Sequence, residues 1–228
     1  MSETIVVQRP TGPVKQLMLL LHGVGATPQG LVPLGQRLAQ EFPSALVVSV
    51  QAPHASDLGQ GYQWFSVRGI TEEDRPARVA EAMPAFVAMV HDWQRQSGVG
   101  PEATALVGFS QGAIMSLEAT QRPELLAGRV VALSGRFAAL PQAPHPHTTL
   151  HLVHGKNDAV IHYGYTVTGA EHLIGLGADV TADVIPFLGH EINEGVVDTV
   201  MERLLGHLPK RHWEDVQRAA EAGEPSAE

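Results

Sequence analysis

Short apolar runs alternate along this chain with longer segments of helical periodicity, and no other feature restricts the fold as much. Gln16–Leu21 is a continuous apolar run, as expected of a strand covered on both faces. Ala45–Gln51, the run that ends at Gly108, Arg129–Ser134, Thr149–Val153 and Val180–Pro186 read as further strands, and Thr4–Val7 as a short edge strand. Helical patterns fill the intervals: Gln29–Gln40, Glu72–Gln96, the segment after Ser110 to Gln121, Ile161–Leu176 closed by Gly177, and Glu191–Leu208. Within Glu72–Gln96, residues Val79, Met83, Phe86, Val90 and Trp93 share one face, and Pro84 predicts a kink or a division into two helices. Such alternation implies right-handed crossovers and an α/β fold, a mostly parallel, doubly wound sheet with helices on both faces. No separate cap domain is expected in 228 residues. Residues 1–208 are expected to form the domain. Leu208, Trp213 and Val216 follow near-helical spacing, so 209–228 are read as a docked or self-associating C-terminal helix, which leaves homodimerisation open, with a disordered tail from Gly223.

Composition narrows the function. With 15 basic and 24 acidic residues the formal charge is −9, which argues against nucleic acid or an anionic membrane as partner. No apolar run approaches the ~18 residues of a membrane helix, so no membrane insertion is expected. Met1-Ser2-Glu3-Thr4 opens no basic and then apolar leader, and a cytoplasmic location is expected. The absence of cysteine excludes disulfides, thiolate zinc sites and a cysteine nucleophile.

Open α/β sheets bind ligands outside the carboxyl ends of their strands. The polar signatures at 22–25, 110, 154–158 and 189–190 each follow a strand directly, so they converge on that edge. The sharpest is Gly108-Phe109-Ser110-Gln111-Gly112, the pattern of a nucleophile elbow. Its bland alternative is an ordinary turn with an N-cap serine. A serine hydroxyl needs a base and an acid to orient that base. Asp158 follows a later strand and His190 the last one, in the order expected after Ser110. Asp179 and Asp183 are rival acids at the wrong end of the strand or on a solvent face, and Asp158 could merely cap the helix that follows. His22 precedes the serine and is read as bracing its loop. A tetrahedral intermediate also needs two N–H donors. The backbone amides of Gln111 and Val24 are the candidates. The long stretch Ala52–Thr71, carrying Tyr62, Trp64 and Phe65, should overhang the same edge.

Taken together, Leu21-His22-Gly23-Val24-Gly25, Gln51-Ala52-Pro53, Trp64-Phe65, the elbow, His154-Gly155-Lys156-Asn157-Asp158 and Gly189-His190 resemble the phospholipase/carboxylesterase family of α/β-hydrolases. That family includes the acyl-protein thioesterases, and the chain is especially similar to its small bacterial cytosolic esterases. The resemblance implies a Ser110, Asp158 and His190 triad, an oxyanion hole at Val24 and Gln111, and hydrolysis of small-molecule carboxylic esters or thioesters with no cofactor. It places Trp64 near the substrate mouth, with Phe65 beside it. Acyl-protein thioesterases commonly carry an aspartate where this chain has Ala26, and Glu191 follows the histidine; both departures favour short-chain esters over acyl-proteins. Thioesterase or lysophospholipase-type activity is the alternative.

Two readings compete. His145, His147, His151 and His154 could suggest a metal hydrolase, yet the first two alternate with prolines and the last two point to opposite faces of a regular strand. A non-enzymatic ligand-binding protein could keep the same fold, but it need not keep serine, acid and histidine in working order.

Overall fold

The structure, a computed structural model, describes residues 4–213. In chain order its strands are β1 (Ile5–Gln8), β2 (Gln16–Leu21), β3 (Ala45–Val50), β4 (His54–Ala55), β5 (Tyr62–Gln63), β6 (Thr104–Phe109), β7 (Arg129–Leu133), β8 (Thr149–Gly155) and β9 (Asp179–Ile185). Its α-helices are α1 (Val32–Glu41), α2 (Arg75–Ser97), α3 (Gln111–Ala119), α4 (Gly164–Gly175) and α5 (Glu194–Gly206). β4 and β5 form a small hairpin; the other strands make one sheet in the order β1-β3-β2-β6-β7-β8-β9. Every neighbouring pair in it is parallel except β1 with β3.

Alternation along the strands splits the core into two layers. Leu17, Leu19 and Leu21 of β2 face a layer shared with α2, α3 and α4. Met18 and Leu20 face the opposite layer, with Leu34 and Leu38 of α1 and Val196, Val200 and Met201 of α5. Because β2 is buried on both faces from Leu17 onward, it reads as an unbroken apolar run.

Helix starts differ from the sequence pattern, for local reasons. α1 is preceded by a 3-10 turn, Pro28–Leu31, in place of a helix running from Gln29. α2 begins at Arg75, because Thr71 and Asp74 exchange side-chain-to-amide hydrogen bonds at 2.8 and 3.3 Å and hold the turn before it. It then runs as a single helix through Pro84 to Ser97, so of the kink or division expected at Pro84 the division does not occur. α4 begins at Gly164, three residues after the expected Ile161, and α5 waits for Asn193, whose side chain accepts from the Val196 amide at 3.1 Å.

The amino edge of the sheet carries a polar network. His151 is buried and bonds Thr181 Oγ1 at 2.8 Å, while the Arg129 guanidinium donates to the carbonyls of Leu204 and His207. The same network ties down the chain after α5. His207 Nε2 and the Lys210 amide both reach Asp179, and Arg211 donates to Thr149 Oγ1 at 3.1 Å. Leu208 and Trp213, expected to dock through an apolar face, are exposed; polar contacts hold this segment instead. Val216 and the tail from Gly223 lie outside the described residues.

Burial first, and then the charges of Arg129 and His207, push the His151 imidazole down to about 3. The folded protein therefore keeps His151 neutral, while the unfolded chain binds a proton near its ordinary value of about 6.5. Stability is full above that value and falls with pH below it, by up to about 1.4 kcal/mol per pH unit for this histidine. His151→Asn can retain the Thr181 contact without titrating. Its thermal midpoint should fall less than that of the wild type between pH 7.5 and 5; parallel slopes would contradict this account.

Candidate active site

The turn from β6 into α3 leaves no room for side chains at its flanks. A Cβ on Gly108 would lie 2.4 Å from the Gly112 carbonyl oxygen, and one on Gly112 would lie 2.0 Å from the Leu21 carbonyl oxygen. Ser110 sits between them at φ 54, a conformation that L residues rarely adopt. Its side chain emerges at the carboxyl edge of the sheet beside the start of α3.

The structure brings Ser110, His190 and Asp158 together in series. His190 Nε2 is 2.9 Å from Ser110 Oγ, and His190 Nδ1 is 2.6 Å from Asp158 Oδ2. Facing a carboxylate, Nδ1 carries the hydrogen, which leaves Nε2 as the acceptor for the serine hydroxyl. Phe109, one residue before the serine, packs on the His190 ring with centroids 4.9 Å apart. Asp158 is also a turn cap, since its Oδ1 accepts from the amides of Val160 and Ile161, both at 2.8 Å. Burial would raise its carboxyl, but the bonds from His190 and the two amides outweigh burial and hold it below the ordinary carboxylate range. The rival acids are elsewhere: Asp183 pairs with Arg203, and Asp179 lies in the amino-edge network. The histidines of the competing metal-hydrolase reading are dispersed. His145 and His147 share a loop, while His151 and His154 face opposite layers.

His22 braces its loop. Its Nδ1 donates to the Gly23 carbonyl at 2.8 Å and its Nε2 accepts from the Ala52 amide at 3.1 Å. Burial lowers its pKa and keeps it neutral. Val24 lies in the turn after β2, and Gln111 is the first residue of α3. Among the described residues, neither backbone amide is spent on a turn or cap hydrogen bond. Two free N–H groups near a serine hydroxyl can receive a developing oxyanion.

Trp64 and Phe65 are only 3% and 4% exposed. The indole meets Phe86 edge-on and donates from Nε1 to the His22 carbonyl at 2.9 Å. Their rings therefore anchor the 52–71 loop against the core, beside a cavity of about 550 Å³ that they line with His54 and Arg78. The Gln111 side chain is a structural partner that sequence reasoning missed. Its Oε1 accepts from the Trp64 amide and its Nε2 donates to the Phe65 carbonyl, both at 2.7 Å. One residue thus fixes the aromatic loop to the elbow. A glutamine directly after the serine marks a polar side chain at the helix start, but its partners 46 and 47 residues away leave no sign in the sequence.

A family model described as Phospholipase/Carboxylesterase matches residues 2–208. Esterase YpfH of Escherichia coli K12 is 46% identical over 219 residues, which cover 96% of this chain and 94% of that protein. Acyl-protein thioesterase 1 of Neurospora crassa is 24% identical over 213 residues, covering 85% of this chain and 87% of that protein. The crystal structure of esterase PE8 matches with a TM-score of 0.79 at 31% identity, covering 91% of this chain and 98% of that one.

Gln111→Glu keeps shape and an acceptor for Trp64 but turns an oxygen toward the Phe65 carbonyl. The lost bond should cost about 1–3 kcal/mol, seen as a thermal midpoint lowered by roughly 2–12 °C. An unchanged midpoint would show that the bridge does not hold the loop.

Proposed function

Since the chain belongs to the phospholipase/carboxylesterase family and is a hydrolase of the carboxylesterase and thioesterase type, we propose that it cleaves short-chain carboxylic esters through Ser110, His190 and Asp158. The observation that carries this reading is the unbroken series from Ser110 Oγ through the His190 imidazole to Asp158. As Ser110 Oγ attacks the ester carbonyl, its proton passes to His190 Nε2. Asp158 holds the ring in the Nδ1–H tautomer and stabilises the imidazolium that forms. The amides of Val24 and Gln111 receive the oxyanion. Collapse breaks the bond to the alcohol, which leaves with the proton from His190, and the acyl group stays on Ser110. Water, deprotonated by His190, then releases the acid and restores the serine. In this reading residues 1–208 form the catalytic domain and 209–228 an appendage.

Several features support a short acyl group. Among the described residues, the stretch between β3 and α2 adds only a two-stranded hairpin and turns over this edge, so little covers a long chain. Ala26 is used in a backbone bridge to Tyr62, and Glu191 is exposed next to the histidine. Trp64 and Phe65 serve substrate binding by shaping the loop beside the serine. Thioesters remain a second substrate class, because an acyl-protein thioesterase is among the relatives and the chemistry at the serine is the same.

Ser110→Ala should lower kcat by on the order of a millionfold while the fold melts normally, and should abolish labelling by a fluorophosphonate. A variant that keeps a tenth of the activity would defeat the proposal. Across p-nitrophenyl esters from acetate to palmitate, kcat/KM should be highest between acetate and butyrate; each methylene buried in a pocket contributes about 0.8 kcal/mol, roughly fourfold, only until the pocket ends. Faster turnover of palmitate than of butyrate would show that the pocket is deep.

A further inference from the structure

A second histidine meets the carboxylate that orients His190. His154 lies in β8, is fully buried, and has no part in the proton path described above. Its Nε2 is 2.8 Å from the Ile161 carbonyl and 3.2 Å from Asp158 Oδ2. Its Nδ1 is 2.7 Å from Thr166 Oγ1 on α4. A carbonyl can only accept, so Nε2 carries a hydrogen, which bonds the carbonyl with the carboxylate oxygen beside it. Nδ1 is then the acceptor for the Thr166 hydroxyl, which is itself buried. Burial lowers the His154 pKa, more than its hydrogen bonds and Asp158 raise it, in keeping with this neutral tautomer.

Asp158 therefore has donors on both oxygens. Oδ1 takes the amides of Val160 and Ile161, and Oδ2 takes His190 and has His154 Nε2 3.2 Å away. Two amides on Oδ1 alone leave the carboxylate free to tilt about its side-chain bond. A donor on Oδ2 from the side of α4 sets that tilt before substrate arrives. The same hydrogen also holds the Ile161 carbonyl, so the turn that carries Asp158 and the carboxylate itself are fixed by one imidazole.

We propose that His154 is a positioning residue for the hydrolysis: its Nε2–H, oriented by Thr166, fixes Asp158 Oδ2 in the geometry that aims His190 at Ser110. The proposal rests on the triad reading above. It explains why α4 starts late, since Ile161 spends its amide on Asp158 and its carbonyl on His154 before the helix begins. A buried histidine kept only for packing needs one partner on each ring nitrogen, which Ile161 and Thr166 supply; the contact with Asp158 Oδ2 exceeds that need.

Two polar replacements separate the roles. The amide nitrogen of glutamine reaches about as far as Nε2 of histidine, and that of asparagine only as far as Nδ1. His154→Asn should lower kcat about ten- to a hundredfold, the scale of a misaligned catalytic group, with KM within about twofold. His154→Gln should recover most of that loss. Thr166→Val, which removes the partner of Nδ1 and lets the ring turn, should lower kcat at unchanged KM and decides the matter if His154→Asn does not fold. Wild-type kcat in His154→Asn would overturn the proposal. So would equal losses in the Asn and Gln variants at equal thermal midpoints, or a Thr166→Val protein with wild-type kcat when it is the deciding variant. Failure of wild-type protein to react with a fluorophosphonate would instead remove the triad reading itself.

Discussion

The backbone of Ser110 is strained, and the structure depends on what holds it there. Its amide donates to the Leu133 carbonyl at 2.9 Å, and its own carbonyl accepts from the Ile114 amide at 3.0 Å. One bond belongs to the neighbouring strand and the other to the helix that follows, so relaxing φ would break both. A left-handed residue of this kind costs on the order of 1–3 kcal/mol, an amount a buried strand and a buried helix can offset. The device repeats along the sheet. Ser134, also at positive φ, donates to the Val153 carbonyl, and the Lys156 amide donates to the Ile185 carbonyl. The exits of β6, β7 and β8 are each clamped to the next strand. The loops that bear Ser110 and Asp158 are thereby set by the ladder itself.

Asp158 shows how one group can serve both local structure and the site. The sequence left two readings open, a helix cap or the acid facing a histidine; the carboxylate faces the histidine with one oxygen, and with the other caps a turn that precedes the helix and not the helix itself. The two amides fix one oxygen to the turn and leave the other for the imidazoles that meet it.

Much of this was legible in the chain. Strands buried on both faces must be apolar throughout, so Gln16–Leu21 announced itself to the residue, and the glycines at 108 and 112 announced a turn with no space for side chains. The meeting of Ser110, Asp158 and His190 followed from topology, because parallel strands deliver their exits to one edge. Helix starts were less legible, since they are decided by side chains that leave the periodic pattern intact: Asn193 on an amide, Thr71 against Asp74, His154 on a carbonyl. The bond from the Trp64 N–H to the His22 carbonyl was not legible, because an aromatic in a long loop gives no sign of which carbonyl it will find. The Gln111 bridge joins residues 46 and 47 positions apart, a distance at which sequence pattern carries no information.

The far edge of the sheet has a consequence for how copies of this chain can meet. β9 ends the sheet and alternates Asp179, Thr181 and Asp183 on the face toward α5. If two copies added their β9 strands antiparallel about Thr181, each Asp179 would stand opposite the other's Asp183. Like charges directly across a strand pair repel, and both carboxylates are already engaged by Arg203 and His207 within their own chain. In that register the strand resists edge-to-edge pairing, as charged edge strands do elsewhere.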